Sequence, residues 1–548
     1  TTLFRSKYAK LQVRKIQERI VKAVQSQKWR QVRSLQRLIV RSRAAKQLAV
    51  KQVTENRGKL TPGVDGKLWS TPNIKTKAIY NLKWRGYKAK PLKRIYIPKT
   101  DGRLRPLGIP TMHDRAMQAL QKMALEPISE TTSDEHSYGF RPMRSAADAI
   151  VYSFSLVSKN SSAEWVLDAD IASCFDAINH KWLLNNIPMN TRILKQWLKA
   201  GYIEKGLKHG TDMGTPQGGI ISPILANMAL DGLEELIRKS FKRSEARKLN
   251  EKVNIVRYAD DFIITGISKE ILQNRVIPLV TNFLAERGLE LSEEKTKIRH
   301  ITEGVDFLGF TIRKYPSGKV LTKPSSKSKK KFRYEVKTRL AQLKTATQAD
   351  IVAVLNPKIS GWVHYFKHCA AKRDFGNLDD WLWLKLWKWS KRRHSNKGTK
   401  WIKMKYFHRY QGQDWYFGYW DNTHNKTIFR TLPRMTSIPI KRHGLIKGEF
   451  NYYDPHWKDY AEIRTAKTVR NTMSMKAYTL WTRQTGKCQY CLDAIDNMTA
   501  WHVHHKMPRH KGGSNALENL VLLHPECHRQ IHSRNTAGLP VHSNLIYA

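Results

Sequence analysis

Two adjacent carboxylates, Asp260 and Asp261, sit at the centre of an otherwise apolar run, Ile255-Val256-Arg257-Tyr258-Ala259-Asp260-Asp261-Phe262-Ile263-Ile264. Apolar residues on both sides of the acids read as a β-hairpin with the carboxylates at its turn. Like charges that close repel, and the pair is costly unless a divalent cation sits against it. Ninety residues before Asp260 stands a second acid-bearing strand, Val166-Leu167-Asp168-Ala169-Asp170-Ile171, followed by Phe175 and Asp176. A fold that pairs the two stretches sets Asp170 beside Asp260 and Asp261, a carboxylate cage for two Mg²⁺ ions. Such an ion pair activates a 3′-hydroxyl nucleophile and stabilises a departing pyrophosphate.

Charge narrows what the chain can bind. Its 548 residues are enough for three or four domains. They include 98 Lys and Arg against 45 Asp and Glu, a net charge of +53. An excess of that size favours a polyanionic partner. With no apolar run of membrane-spanning length, that partner is nucleic acid and not a bilayer. The cations are clustered, with 17 against two acids in residues 1–60 and nine against one in Leu321–Thr345. Five cysteines cannot close a disulfide framework, and three of them fall in the last 61 residues, a pattern of metal binding in a reducing compartment. The N-terminal stretch is charged and does not read as a signal peptide, so the expected location is cytoplasmic, in a bacterium or an organelle of bacterial descent.

Apolar residues recur at helical intervals at Ile16, Ile20 and Val24 and again at Val32, Leu35 and Ile39. Residues 1–60 therefore read as two or three basic amphipathic helices, ended by Thr61-Pro62-Gly63. Residues 61–315 mix strand-like and helical stretches. The Lys- and Ser-rich Ser325–Lys331 reads as a loop or linker, and 332–412 as mostly helical, with Trp381, Trp383, Trp387 and Trp389 expected mainly in a bundle core. Residues 413–470 are aromatic and basic without a clear period.

A series of blocks surrounds the acids in order: Arg94 to Lys99 through Arg105-Pro106-Leu107-Gly108-Ile109-Pro110; Tyr138-Gly139-Phe140-Arg141-Pro142; the Asp170 strand; and Gly214-Thr215-Pro216-Gln217-Gly218-Gly219. Gly288 to Lys295 and Phe307-Leu308-Gly309-Phe310 follow the hairpin. The series resembles the reverse transcriptases encoded by group II introns. The resemblance implies right-hand fingers and palm with Asp170, Asp260 and Asp261 as Mg²⁺ ligands, Asp261 the least directly coordinated. Asp168, on the same strand face as Asp170, and Asp176, beyond the expected turn, are competitors. Phe175 matches the family's sugar gate, where a ring excludes the 2′-hydroxyl of an incoming nucleotide. Lys99 and Arg105 flank the Thr100-Asp101-Gly102 turn and would lie over the triphosphate of a dNTP, with Lys93 a weaker candidate. Gln217 would stand at a helix entry where the backbone approaches the template and nascent base pair. Phe307 to Phe310 resembles the primer grip.

Further on, Gly361-Trp362-Val363-His364-Tyr365-Phe366 matches the family's domain X, which serves as thumb and holds intron RNA. Aromatics among Lys and Arg suit stacking on unpaired bases and contacts to phosphate. Near the C-terminus, Cys488 and Cys491 form one ligand pair and His524 and Cys527 another, a set suited to tetrahedral structural Zn²⁺. With His504-His505, Gly512-Gly513, Asn519 and His528 to His532, the segment resembles an HNH (ββα-metal) endonuclease. The resemblance makes His505 the general base, and Asn519 the residue that fixes the loop and orients His505. It makes His504, His528 and His532 the ligands of one divalent ion. His524 stands where many relatives carry Cys, so it is either the fourth zinc ligand or a spectator. His504 stands where others place Asp.

The expected organisation is multidomain α+β. Residues 1–60 form a basic helical extension, 61–319 the fingers and palm, and 320–412 an α-helical thumb (domain X). Residues 413–470 form a DNA-binding region and 471–548 the HNH domain with its zinc site. The implied protein binds group II intron RNA, double-stranded target DNA and dNTPs. It assists splicing, and it primes reverse transcription after HNH cleavage of the second DNA strand. A splicing-only maturase is an alternative, against which the intact Asp170, Asp260, Asp261 and His505 argue. A reverse transcriptase–nuclease of a non-intron element is another, against which the thumb-like 320–412 argues.

Overall fold

The computed structural model describes residues 6–98, 102, 104–215, 218–241, 251–423, 426–496 and 499–536. The N-terminal apolar stripes form three helices, α1 (Ser6–Gln25), α2 (Trp29–Arg41) and α3 (Arg43–Glu55). Ile20, Val24, Val32, Leu35 and Ile39 are buried, and all three helices pack on the long helix Met112–Thr132. Lys15, Arg19 and Lys22 stay in solvent, the division an amphipathic helix produces.

Two strands, β1 (Leu92–Pro98) and β2 (Leu104–Ile109), pair antiparallel with Ile97 opposite Arg105. The strand Tyr202–Glu204 extends this finger sheet alongside β1. A second sheet holds β3 (Trp165–Asp170), β4 (Asn254–Tyr258), β5 (Asp261–Gly266) and β6 (Lys297–His300) in the order β4-β5-β3-β6, all antiparallel. Val166, Leu167, Phe262, Ile263 and Ile264 are buried, so both faces of its central strands are covered.

Three helices follow, α4 (Ser326–Gln342), α5 (Gln348–Phe366) and α6 (Lys372–Arg393). The expected linker Ser325–Lys331 is helical instead. Ser325 caps α4 by accepting the Ser328 N–H at 3.1 Å. The polar first turns hid the helix, because the buried stripe Phe332, Val336, Leu340 begins only beyond them. Trp389 is buried, while Trp381, Trp383 and Trp387 are half-buried against the same core. Tyr365 donates to the Leu308 carbonyl at 2.9 Å, and Phe310 packs on Tyr365 and Phe366. The Phe307–Phe310 block thus joins palm to thumb.

The aperiodic stretch contains an antiparallel sheet, β7 (Phe407–Tyr410), β8 (Gln413–Thr423) and β9 (Lys426–Thr431). The expected boundary at 412 falls in the turn between β7 and β8. An irregular strap over residues 441–457 then crosses to the palm and the N-terminal helices. His443, the Ile446 N–H and Arg464 all bond the buried Asp148 carboxylate. Tyr453 bonds Glu126 at 2.7 Å, and the Arg14 guanidinium lies 4.5 Å from the Tyr452 ring. The last unit is a ββα arrangement with its own core: β10 (His502–His505), β11 (Leu520–Leu523) and α7 (Pro525–Thr536). It abuts the N-terminal helices, where buried Asp493 meets Lys10 at 3.2 Å and Lys51 at 3.5 Å. Among the described residues no helix is long and apolar enough to cross a membrane.

Candidate polymerase and nuclease centres

The antiparallel register of β3 and β5 sets Asp170 directly opposite Asp261, with Asp260 in the turn that joins β4 to β5. Ala259 takes a left-handed φ of 59°, which makes that turn tight. Loss of water in the cleft, then Asp260 and Asp170, push the Asp261 carboxyl up to about 7. Burial, and after it Asp170, raises Asp260 as well. The Lys295 ammonium sits on the Asp170 carboxylate, and the Ser292 N–H bonds the Asp170 carbonyl at 2.8 Å. Lys295 belongs to a block visible in the sequence, but its pairing with Asp170 was not foreseen.

Asp168 lies opposite Ile263 and Lys297, and burial lifts its carboxyl to about 6. Asp176 lines a cavity of about 200 Å³ with Arg94, Tyr202 and Met213. Phe175 is half-buried, edge-on to Phe140 at 6.4 Å, and its carbonyl accepts the Thr215 N–H. Exposed Arg105, at the start of β2, lowers the Asp260 carboxyl electrostatically. Lys93 is exposed on β1. Lys99 and Gln217 lie outside the described residues. Gly218, next to Gln217, has φ +112°, and a Cβ there would stand 2.7 Å from the Gly108 carbonyl, so only glycine lets this loop approach β2.

The nuclease unit brings two ligand sets together. Cys488, Cys491, His524 and Cys527 offer one atom each within 4.8 Å of one another, as do His504, His528 and His532. In the first set His524 Nδ1 is 3.2 Å from Cys491 Sγ, and its Nε2 is 3.1 Å from the Ala494 carbonyl. That bond holds the proton on Nε2 and leaves Nδ1 free for a metal. Hydrogen bonds from Cys491 and Cys527 pull the Cys488 thiol far down. The donor set suits tetrahedral zinc as Cys₃His. In the second set His504 comes from β10, and His528 and His532 lie one turn apart on α7. Burial and the two other rings hold His504 down at about 4, so its ring is available as a neutral donor.

His505 follows His504 on β10, and its Nε2 is 2.9 Å from Asn515 Oδ1. Asn519 accepts the Met507 N–H and donates to the Met507 and Ser514 carbonyls. It closes the loop beside His505, but the ring itself is held by Asn515, a residue that no spacing in the sequence marked. A third set, Glu135, His136 and Glu234, is already paired: His136 bonds Glu234 at 2.6 Å and Arg238 reaches both acids.

Four family models match the chain. They are the N-terminal domain of reverse transcriptase over residues 4–82, reverse transcriptase (RNA-dependent DNA polymerase) over 97–312, the group II intron maturase-specific domain over 329–407, and HNH endonuclease over 488–534. Fold, site and matches define an RNA-directed DNA polymerase that carries a maturase domain and a DNA endonuclease domain. Over 303 residues the chain is 31% identical to Protein YkfC of Escherichia coli, covering 48% of this chain and 79% of that protein. Over 349 residues it is 32% identical to Group II intron-encoded protein LtrA of Lactococcus lactis subsp. cremoris, covering 52% of this chain and 57% of LtrA. The chain belongs to the group II intron-encoded proteins. It is also 26% identical to Maturase-like protein 1 of Euglena gracilis over 372 residues, 65% of this chain and 74% of that protein.

Proposed function

We propose that this protein holds its intron RNA during splicing, enters DNA with that RNA, cuts the second strand and copies the RNA from the new 3′ end. The observation that carries the polymerase half is the facing of Asp170 and Asp261 across β3 and β5, with a lysine ammonium already seated on Asp170. A cleft that holds one cation beside three carboxylates has the charge to hold Mg²⁺. The bound ions supply activation of the primer 3′-hydroxyl and neutralisation of the leaving pyrophosphate.

The residues of the chain do the positioning. Asp170, Asp260 and Asp261 hold the metal side of the cleft. Arg105, and with it Lys99, covers the triphosphate, Phe175 lies against the sugar, and Gln217 supports the nascent pair. In the nuclease, His505 takes the proton from the attacking water. Its basicity is aimed by Asn515, and its loop is closed by Asn519. His504, His528 and His532 would hold a divalent ion, which would polarise the scissile phosphate, while Cys488, Cys491, His524 and Cys527 would hold a zinc ion that supports the fold of the ββα unit. Residues 320–412 form the thumb and RNA-holding domain, residues 413–470 contact DNA, and the cycle runs in a bacterial cytoplasm or an organelle of bacterial descent.

Primer extension tests this reading. Asp170→Ala or Asp260→Ala abolishes cDNA synthesis on any template, because one missing carboxylate uncouples the two ions. RNA splicing, which depends on surface cations, survives. Measurable extension by either variant in Mg²⁺ refutes the assignment.

A further inference from the structure

The sheet of β7, β8 and β9 follows directly on the maturase match and has two unlike faces. Along β8, side chains alternate between them. Phe417 and Tyr419 turn toward the thumb, where Phe417 meets Trp389 of α6 at 6.1 Å and Tyr419 lines a cleft with Ala349 and Val352 of α5. The other face is made of rings in mutual contact. Trp420 lies 4.9 Å from Phe429, Phe429 lies 5.3 Å from His408 and 5.2 Å from Tyr410, and Tyr410 lies 5.6 Å from Tyr416. The Phe429 ring covers Gly418, where a Cβ would stand 2.8 Å from its Cζ atom. That Cβ would also overlap the Arg430 carbonyl oxygen, so only glycine lets β8 and β9 pack this closely under the ring.

Trp420 is 49% exposed, and His408 and Tyr410 are only half-buried. Phe429 and Tyr416 are buried within the cluster, so it presents one open ring, Trp420, with the half-buried His408 and Tyr410 beside it. Charge identifies the partner. Between Lys403 and Arg434 there are six Lys and Arg against two Asp, and the Arg434 guanidinium lies 4.5 Å over Tyr416. An open ring in a cation-rich segment fits an unpaired nucleobase on a phosphate backbone, because every base offers a π-face and every linkage a negative charge. A duplex, whose bases are stacked on each other, offers neither face.

We propose that Trp420, the open ring of this cluster, stacks on an unpaired base of single-stranded DNA at the target site. The proposal rests on the reading of residues 413–470 as a DNA-binding region and sharpens it from duplex to opened strand. DNA is favoured over RNA because Trp420, with His408 and Phe429, lies on the face opposite Phe417 and Tyr419, which turn toward the thumb helices, and because the chain runs on from this sheet to the nuclease.

The test uses the full-length protein and single-stranded DNA carrying 5-iododeoxyuridine, which crosslinks on irradiation to an aromatic side chain it stacks on. Peptide mapping should place the crosslink within residues 408–430. Trp420→Ala should remove it and weaken binding of an oligothymidylate in raised salt by roughly five- to a hundredfold. Trp420→Phe should retain most of both. Affinity for duplex DNA should not change, and Trp420→Phe, which keeps a ring against Phe429, controls for any loss of stability in Trp420→Ala. Crosslinks confined to other segments, or unchanged affinity in Trp420→Ala, overturn the proposal. Preferential crosslinking of the matching iodouridine RNA also overturns it and assigns the face to RNA. Loss of second-strand cutting by wild-type protein with the crosslink intact would instead count against the nuclease reading alone.

Discussion

Five aspartates crowd the region around the polymerase cleft, and what separates them is what each one faces. Asp170 faces Asp261 and holds Lys295, while Asp168, one pleat away, faces Ile263 and Lys297 and is held at about 6 by burial. The sequence made Asp170, Asp260 and Asp261 legible because adjacent like charges in an apolar run need a cation. It could not reveal Lys295 on Asp170 or Asn515 on His505, since each joins a strand residue to a loop residue at a spacing that carries no period. Phe175 is where a residue-scale expectation can be tested most directly. It is half-buried and braced edge-on by Phe140 at 6.4 Å, so the ring is held in place while part of it remains open to the cleft. Phe175→Val should raise incorporation of ribonucleotides relative to deoxyribonucleotides by about tenfold if relief of overlap restores ~1.4 kcal/mol. Unchanged discrimination in a variant that still polymerises makes the ring a packing residue only.

At the scale of elements, apolar period governed what could be read. The N-terminal helices and the palm strands carry strong periods or unbroken apolar runs, and they fold as those patterns require. Helix α4 does not, because its first two turns are Ser and Lys, and only the Ser325 cap and the later stripe Phe332, Val336, Leu340 specify it. The three-stranded sheet of β7 to β9 escaped for the opposite reason: its two faces are both aromatic, so alternation disappears from the pattern. The helical form of α4 sharpens an electrostatic expectation. Lys327, Lys330, Lys331 and Lys337 are exposed on the helix while its stripe is buried, so they present charge without supporting the fold. If they lie on intron RNA, replacing all four with Gln should weaken binding. It should also flatten the dependence of log K on log salt by roughly 0.7 to 0.9 for each phosphate that a lysine no longer neutralises. Constant affinity and slope would remove α4 from the RNA interface.

At the scale of the whole molecule, the nuclease is tied to the polymerase by the strap and by its own end that carries Cys488, Cys491, His524 and Cys527. Asp148 anchors the strap: its carboxylate takes Ser145, His443, the Ile446 N–H and Arg464, and these partners outweigh burial to hold it below the usual carboxylate range. A carboxyl held low stabilises the fold at neutral pH and loses that contribution only as pH falls below about 4, through its depressed value. Hydrogen exchange over residues 443–464 should therefore stay slow down to mild acid and accelerate below it. Asp148→Asn should give fast exchange already at neutral pH, with a stability loss of about 3–5 kcal/mol from the orphaned Arg464. The other tie meets the proposed zinc ligands, since Asp493, two residues beyond Cys491, pairs with Lys10 and Lys51. Zinc binding of order 10 kcal/mol is coupled to local folding, so Cys491→Ser should unfold the ββα unit and release it from α1 and α3. Extension of a supplied primer should persist, because the palm has its own core. His505→Ala removes only a base: zinc content, fold and RNA insertion into the first strand should stay as in wild type while cutting of the second strand stops. A His505→Ala protein that still cuts, or that loses its zinc, would mean that base and ligands have been exchanged in this reading.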